Sequence, residues 1–496
     1  MKNGSTALEW PTVKLKEICD AVNGKAFKSS EWKKSGLPII RIQNLKDPAA
    51  DFNYFQGDIE DKYKVEPGDV LFAWSGTPGT SFGAFIWNGP EGVLNQHIFN
   101  IRFDIAKVHR DYLFHALNRN VQDYIRQAQG GVGLAHITKS KFMDSEIFLP
   151  DMVIQRKVVE FIETNQSRVL AGERMIQSAE NRLKRFRASS LKAACEGKLV
   201  QTSASIAEKK GVAQESAEDY LNRILAERRK NWETEYLADC KIAGKMPKDD
   251  KWKSKYKQPT GIDSSNLPSL PHGWCWAKVS QVGEVQLGRQ RSPKHHSGKH
   301  MRPYLRVANV FEDRIDTDDV MEMNFTPAEF ERYKLGSGDV LLNEGQSLEL
   351  IGRPAIYRNE VPGACFQNTL VRFRAVKGVN PEYALIVFLS YMHNQRFQKI
   401  AKWTTNIAHL GAERFAELEF PLAPEKEQER IVAAWRKAAV QYERLKNTLR
   451  TNKRRALNLR RSILNLAFSN GRDPIHDAEN ARVVTHNSQM HAGGLR

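Results

Sequence analysis

Two stretches, Gln155 to Gly197 and Gln428 to Gly471, constrain this 496-residue chain more than any other feature. Each follows a proline (Pro150, Pro424), runs without an internal proline, and sets a seam residue every three or four positions. The first seam reads Ile162, Asn165, Val169, Gly172, Ile176, Ala179, Leu183, Phe186, Ser190, and the second Trp435, Ala438, Tyr442, Leu445, Leu449, Asn452, Ala456, Leu459, Ile463. Alternating steps of three and four are the a/d pattern of a coiled-coil helix. Ile162 aligns with Trp435 and Ser190 with Ile463, the same 273-residue offset at both ends. Gly172, Ala179 and Ser190 are small, whereas Leu445, Leu449 and Ile463 are large, which suits two unlike helices packed on each other. The competing reading is a separate surface helix on each of two domains.

The repeat extends beyond the helices. PIIRIQNL (38–45) lies over PYLRVANV (303–310), aligning Arg41 with Arg306 and Asn44 with Asn309. YKVEPGDVLFAWSG (63–76) lies over YKLGSGDVLLNEGQ (333–346), and each Gly-Asp pair predicts a turn before a buried strand. AHIT (135–138) and AHLG (408–411) close the two copies. Short alternating strands with a few helices predict an α+β fold: two similar globules alternating with two long helices that pair as an antiparallel coiled coil, related by a pseudo-twofold. The expected boundaries are globule 1–150, helix 151–199, insertion 200–270, globule 271–424, helix 425–471 and a disordered tail 472–496. Within the insertion, 200–214 reads as a loop and Lys241 to Ser269 as a linker. From Ser216, with Asp219 three positions on, an amphipathic helix is expected.

Composition narrows the partners. A formal charge of +17 points to a polyanion, nucleic acid by default. No run approaches the roughly 18 apolar residues of a membrane span, and no secretory leader opens the sequence. Five scattered cysteines without a C-x-x-C pair fit reduced thiols in the cytoplasm and argue against structural zinc.

Catalytic signatures are missing from the sequence. It has neither a G-x-x-x-x-G-K-[ST] phosphate loop nor a D/N-P-P-[YF] tetrapeptide. Gly130-Gly131-Val132-Gly133 lacks a surrounding nucleotide-binding pattern. Glu196-Gly197-Lys198 reads as a helix stop, not part of a nuclease centre. His295, His296 and His300 sit in a Pro/Gly loop with no completing ligand, so no metal site is expected.

What remains are polar, basic loops that mix phosphate-seeking cations with residues able to read base edges. The first globule offers Lys25, Lys28, Ser75, Thr77, Thr80, Lys139 and Lys141 as candidate DNA-binding residues. The second offers Arg289, Arg291, Lys294, His295, Lys299, Gln346, Arg353, Lys402, Trp403, Thr405 and Asn406. Trp74 or Trp403 could pack against a sugar or an exposed base. Ile162, Val169, Ile176, Leu183, Phe186, Trp435, Tyr442, Leu445, Leu449, Leu459 and Ile463 are the expected helix-pair packing residues.

The ordered set PGDVLFAWSG, SGDVLLNEGQ, QRKVVEFIE, SSLKAACEGKLV, LPHGWCWAKV, PEKEQERIVAAW and RRSILNLAF resembles the specificity subunits of type I restriction–modification systems over nearly the whole length to about residue 470. The resemblance implies two target-recognition domains reading a split, asymmetric sequence in double-stranded DNA, and no catalysis in this subunit. It also implies two modification subunits carrying S-adenosylmethionine and methylating adenine. Restriction subunits using ATP and Mg²⁺ then join, so no cofactor is expected in this chain. Gln155, Arg156, Gln428 and Arg430, with Phe186, Leu459 and Leu466, become candidates for fold or subunit packing, and the insertion for a modification-subunit contact. Two alternatives stand against this: a self-sufficient DNA methyltransferase or endonuclease, and a coiled-coil scaffold with no DNA role.

Overall fold

The computed structural model describes residues 10–47, 50–76, 81–127, 135–213, 215–242, 244–404 and 407–468. The chain divides into two compact units, residues 1–177 with 450–496, and residues 178–449. The long helices span Met152–Cys195 and Glu425–Ala467, so each contributes one half to each unit.

The first unit is built on a four-stranded antiparallel sheet in the order Cys19–Asn23, Ile98–Phe103, Val70–Ala73, Gly83–Ile86. The second unit repeats that order with Gly283–Leu287, Leu370–Ala375, Val340–Asn343, Pro354–Ile356. In both, a second sheet, four-stranded in the first unit and three-stranded in the second, contains one parallel pair, Leu37–Ile40 with Gly92–Leu94 and Met301–Leu305 with Cys365–Phe366. The strand before each long helix (Glu146–Phe148, Glu419–Leu422) pairs with the first strand of its globule. That antiparallel pairing returns the end of the globule to its beginning.

The shared sequence phrases are local fastenings. Gly68 and Gly338 adopt φ of 101° and 96°, a left-handed turn that only glycine enters cheaply. The following aspartates close it, Asp69 accepting from the Glu66 N–H at 3.0 Å and Asp339 from the Gly336 N–H at 2.8 Å. Asn44 and Asn309, both buried, accept from the backbone N–H of Arg41 and Arg306 at 3.1 and 3.0 Å and donate to a neighbouring loop. The Arg/Asn alignment therefore marks a turn held by the asparagine side chain and the arginine backbone N–H.

Inside each unit the two helix halves run antiparallel. In the first, Val158, Val159, Ile162 and Val169 share one core with Ile463, Ala467 and Phe468, and Glu173 meets Arg460 at 2.6 Å. In the second, Leu191 and Ala194 share a core with Ile431, Val432 and Trp435, and Arg187 reaches Glu443 at 3.9 Å and lies over the Tyr442 ring at 4.7 Å. Later residues of one helix meet earlier residues of the other. Ile176, Leu183, Tyr442 and Leu449 are half-buried, as a two-helix seam allows.

Three of the expected packing residues do not pack. Phe186, Leu445 and Leu459 are 52%, 55% and 52% exposed. A helix turns once every 3.6 residues, so a three-residue step falls about 60° short of a full turn and a four-residue step passes it by about 40°, which leaves the residue one position on nearer the line of the preceding seam residue. Arg187 and Arg460 take the places given to Phe186 and Leu459, and both use their guanidinium groups across the seam. Leu445 has no such substitute, since Lys446 beside it is also exposed.

The insertion holds more structure than its composition suggested. Ser203–Lys210 is helical, capped by Thr202 accepting from the Ser205 N–H at 3.2 Å and ended by Gly211 at φ 65°. The expected helix spans Ala217–Ile242, with Ser216 accepting from the Asp219 N–H at 3.0 Å. Part of the supposed linker is a 3₁₀ turn at Asp250–Lys255 that buries Trp252 against Trp232 and Tyr236. Its Lys-rich composition hid aromatic residues spaced to stack. Gly197 does stop the first long helix, at φ 66°. The expected tail 472–496 lies outside the described residues. Among the described residues no helix is long and apolar enough to cross a membrane.

Candidate nucleic-acid interface

The chain order of each globule brings separate loops to one place. In the first unit Ser75–Gly76 pairs antiparallel with Ala135–His136, joining the 75–83 loop to the 129–141 loop. In the second, Gly345–Gln346 pairs with Ile407–His409, which also pairs with Lys402–Thr404. Two of the three loops picked out from the sequence in each globule are therefore neighbours in space, in the same register both times. His136 lies opposite Ser75, and His409 opposite Gly345.

The junctions differ chemically. In the first unit His136 lies by the indole of Trp74, ring centroids 6.2 Å apart. That indole also stacks on Phe99 at 5.7 Å and donates to Asn23 Oδ1 at 3.1 Å. Trp74 is thus engaged within the fold through one ring face and its N–H. In the second unit His409 Nδ1 lies 3.0 Å from a Glu344 carboxylate oxygen. The added strand Lys402–Thr404 carries Trp403, 59% exposed, beside exposed Lys402 and Ile407. Ile407 was not singled out from the sequence; its place two residues before a half-buried, strand-paired histidine is the only signal it left.

The 288–302 loop separates into an anchor and a free face. Arg289 is buried and does not present its charge to a ligand, contrary to expectation. Its guanidinium pairs with Glu329 at 2.8 Å, donates to Asn324 O at 2.6 Å and lies over the Phe325 ring at 4.9 Å. The adjoining His295 Nδ1 is 3.3 Å from Arg289 Nη2, so that nitrogen acts as acceptor and His295 serves the anchor. Lys25 is its counterpart in the first unit: half-buried, over the Phe55 ring at 4.8 Å and 3.6 Å from Glu31. Each follows a glycine (Gly24, Gly288) where an added Cβ would strike the carbonyl of Asn95 or Gln367 at 2.2 and 2.1 Å. Arg291, Lys294 and Lys299 are exposed.

Of the other candidates, Lys28, Lys139, Lys141 and Lys402 are exposed, Lys139 reaching Asp20 at 3.0 Å and Lys141 the Gln127 carbonyl at 3.1 Å. Gln346 is half-buried, its side-chain oxygen accepting from the Ser347 N–H at 3.2 Å. Two more turn inward. Ser75 is buried, and Arg353 is half-buried over Phe311 at 4.7 Å, where burial lowers its pKa. Thr77, Thr80, Thr405, Asn406 and the Gly130–Gly133 segment lie outside the described residues. Among the described residues no group of three or more His, Cys, Asp or Glu is placed to hold a metal ion.

Comparison with known proteins falls in line with this arrangement. Residues 8–174 match the family model described as "Type I restriction modification DNA specificity domain". The chain is 23% identical to the Type I restriction enzyme EcoBI specificity subunit of Escherichia coli, over 96% of this chain and 89% of that protein. It is 21% identical to the EcoKI specificity subunit of E. coli strain K12, over 98% and 94% respectively. A solved structure titled for complex assembly and conformational transition of the type I R-M system superposes with a TM-score of 0.61 at 16% identity, covering 93% of this chain and 97% of that one, a likeness of fold.

Proposed function

Since the chain belongs to the type I restriction–modification specificity subunits, we propose that each of its globules reads one half of a bipartite, asymmetric target in double-stranded DNA. One observation carries this reading: the same loop junction is assembled twice in the same strand register, flanked in its own segments by exposed Lys139 and Lys141 or Lys402 and with different chemistry at its centre. Like frames with unlike readers are what an asymmetric split sequence requires. Lys28, Lys139, Lys141, Arg291, Lys294, Lys299 and Lys402 would neutralise phosphates, while Gln346 and Trp403 would meet bases.

The chain itself performs no bond chemistry in this proposal. Two modification subunits dock on exposed apolar positions of the long helices, bring S-adenosylmethionine and methylate adenine. Restriction subunits with ATP and Mg²⁺ act on the assembled complex. The whole operates in the cytoplasm, where its DNA is.

The test is to co-express the chain with its modification subunits and map methylated adenines across a genome. A split, asymmetric motif is expected, and exchanging residues 12–150 should change one half of it. A continuous palindrome, or methylation by this chain alone, would overturn the proposal.

A further inference from the structure

The start of each long helix holds a wholly buried glutamine, Gln155 or Gln428, in the same task. The Gln155 side-chain oxygen accepts from the backbone N–H of His109 at 2.8 Å. Its amide donates to the carbonyls of Lys107 at 3.0 Å and Pro150 at 2.9 Å. His109 is the residue from which the globule's helix Arg110–Arg119 starts. One side chain thus ties the first turn of the long helix to the globule's exit and to its main helix.

Gln428 repeats two of these bonds. It accepts from the N–H of Asn380, which caps the helix Pro381–His393, at 2.8 Å, and donates to the Ala423 carbonyl at 2.7 Å. The third bond is different. The counterpart of Lys107, two residues before the cap, is Gly378, and the Gln428 amide does not reach its carbonyl directly. It donates to the Tyr220 hydroxyl at 3.2 Å, and that hydroxyl donates to the Gly378 carbonyl. Tyr220 comes from the insertion helix Ala217–Ile242 and is buried. The helix is seated along the same edge by Glu227 to Lys377 at 3.1 Å, by Arg228 donating to Ser280 O, and by Ile224 against Gly378.

We propose that Gln155 and Gln428 are positioning residues that fix how each globule leaves its long helix, and that the insertion, through Tyr220, is a working part of the second. The geometry makes the insertion an element of target selection: it holds the second reader at the setting that one half-site spacing demands. This rests on the two-reader function above. A buried amide and a half-buried carbonyl joined through one hydroxyl tolerate little displacement, because losing the relay leaves the second N–H of the buried Gln428 amide without its partner.

The test uses the full chain with its modification subunits and duplexes carrying both half-sites at the natural spacing and at one base pair more or less. Wild type should prefer one spacing strongly. Tyr220→Phe keeps the ring and removes the relay, so it should cut that preference about fivefold, the scale of one net hydrogen bond, without changing which bases are read. Ile224→Ala, which loosens the helix seat and leaves the hydroxyl in place, should shift the profile in the same direction. An unchanged profile in Tyr220→Phe overturns the inference while leaving the two-reader function intact. So does an equal loss at every spacing, the mark of a merely structural tyrosine. No spacing preference in wild type would overturn both.

Discussion

His409 and Glu344 lie 3.0 Å apart, Nδ1 to carboxylate, at the point where the second globule joins its hairpin to its sheet. The Leu410 N–H donates to the Glu344 carbonyl at 2.8 Å beside them, so residue 344 holds the hairpin through both backbone and side chain. The first unit meets the same need with His136 against an indole. Glu344→Ala should therefore cost the second unit about 1 kcal/mol. It should also loosen base preference in one half of the target only. Calorimetry and methylation mapping would check the pair of outcomes; relaxation of both halves would contradict the assignment.

Arg289 and Arg291 stand two residues apart in the same basic loop and should behave oppositely. Arg289→Ala leaves Glu329 without its partner above an aromatic ring, and about 2–3 kcal/mol of stability should go with it, less than for a fully buried pair because the Glu329 side chain is 33% exposed. Arg291→Ala should leave folding within about 0.5 kcal/mol and lower the slope of log affinity against log salt by about one. Urea denaturation and binding isotherms at several salt concentrations separate the two.

That contrast marks how far the sequence could be read. Repeat, helix pair and loop clusters were legible because they rest on periodicity and on recurring turn residues such as Gly68-Asp69 and Gly338-Asp339. Which cations are free was not. Arg289 and Arg291 look alike in sequence, and only the tertiary position of Glu329 and Phe325 decides between them. Two of the three seam residues that failed, Phe186 and Leu459, did so for a related reason. A three-residue step and a four-residue step differ by one residue, and a long arginine can occupy the seam at either Phe186–Arg187 or Leu459–Arg460. The Tyr220 relay had no sequence signal, because its partners are a glutamine and a backbone carbonyl far along the chain.

His115 gives the first unit a pH dependence. Burial holds its imidazole down at about 4, against an ordinary value near 6.5, with Asp111 opposing weakly. The native state therefore keeps the ring neutral while the unfolded chain takes up a proton below about 6.5. Stability on this account is level above pH 6.5, falls as pH drops toward 4, and levels off again below. The loss is about 3 kcal/mol over that window. Unfolding of the first unit followed by denaturant at pH 7, 5.5 and 4.5 should show the fall, and His115→Leu should flatten it whatever its absolute stability. A wild-type profile that stays level from 7 to 4.5 would rule the effect out.

Phe186, Leu445 and Leu459 leave large apolar surface on helices whose own packing does not use it. Burying one such side chain in a partner contributes about 1.5–3 kcal/mol, whereas exposing it in water gains the isolated chain nothing. Leu459→Ser should accordingly leave thermal unfolding of the chain within about 0.5 kcal/mol of wild type. It should weaken assembly with the modification subunits about tenfold or more, on the scale of an interface anchor residue. Arg460→Ala, one position on, should do the reverse: it breaks the 2.6 Å pair with Glu173 inside the first unit, costs about 0.5–1 kcal/mol of stability because the arginine is partly exposed, and spares assembly. Sedimentation of the mixed subunits beside a melting curve of the chain alone distinguishes the two neighbours. If Leu459→Ser destabilised the chain and assembled normally, the exposed positions would be helix packing after all and the docking face would lie elsewhere.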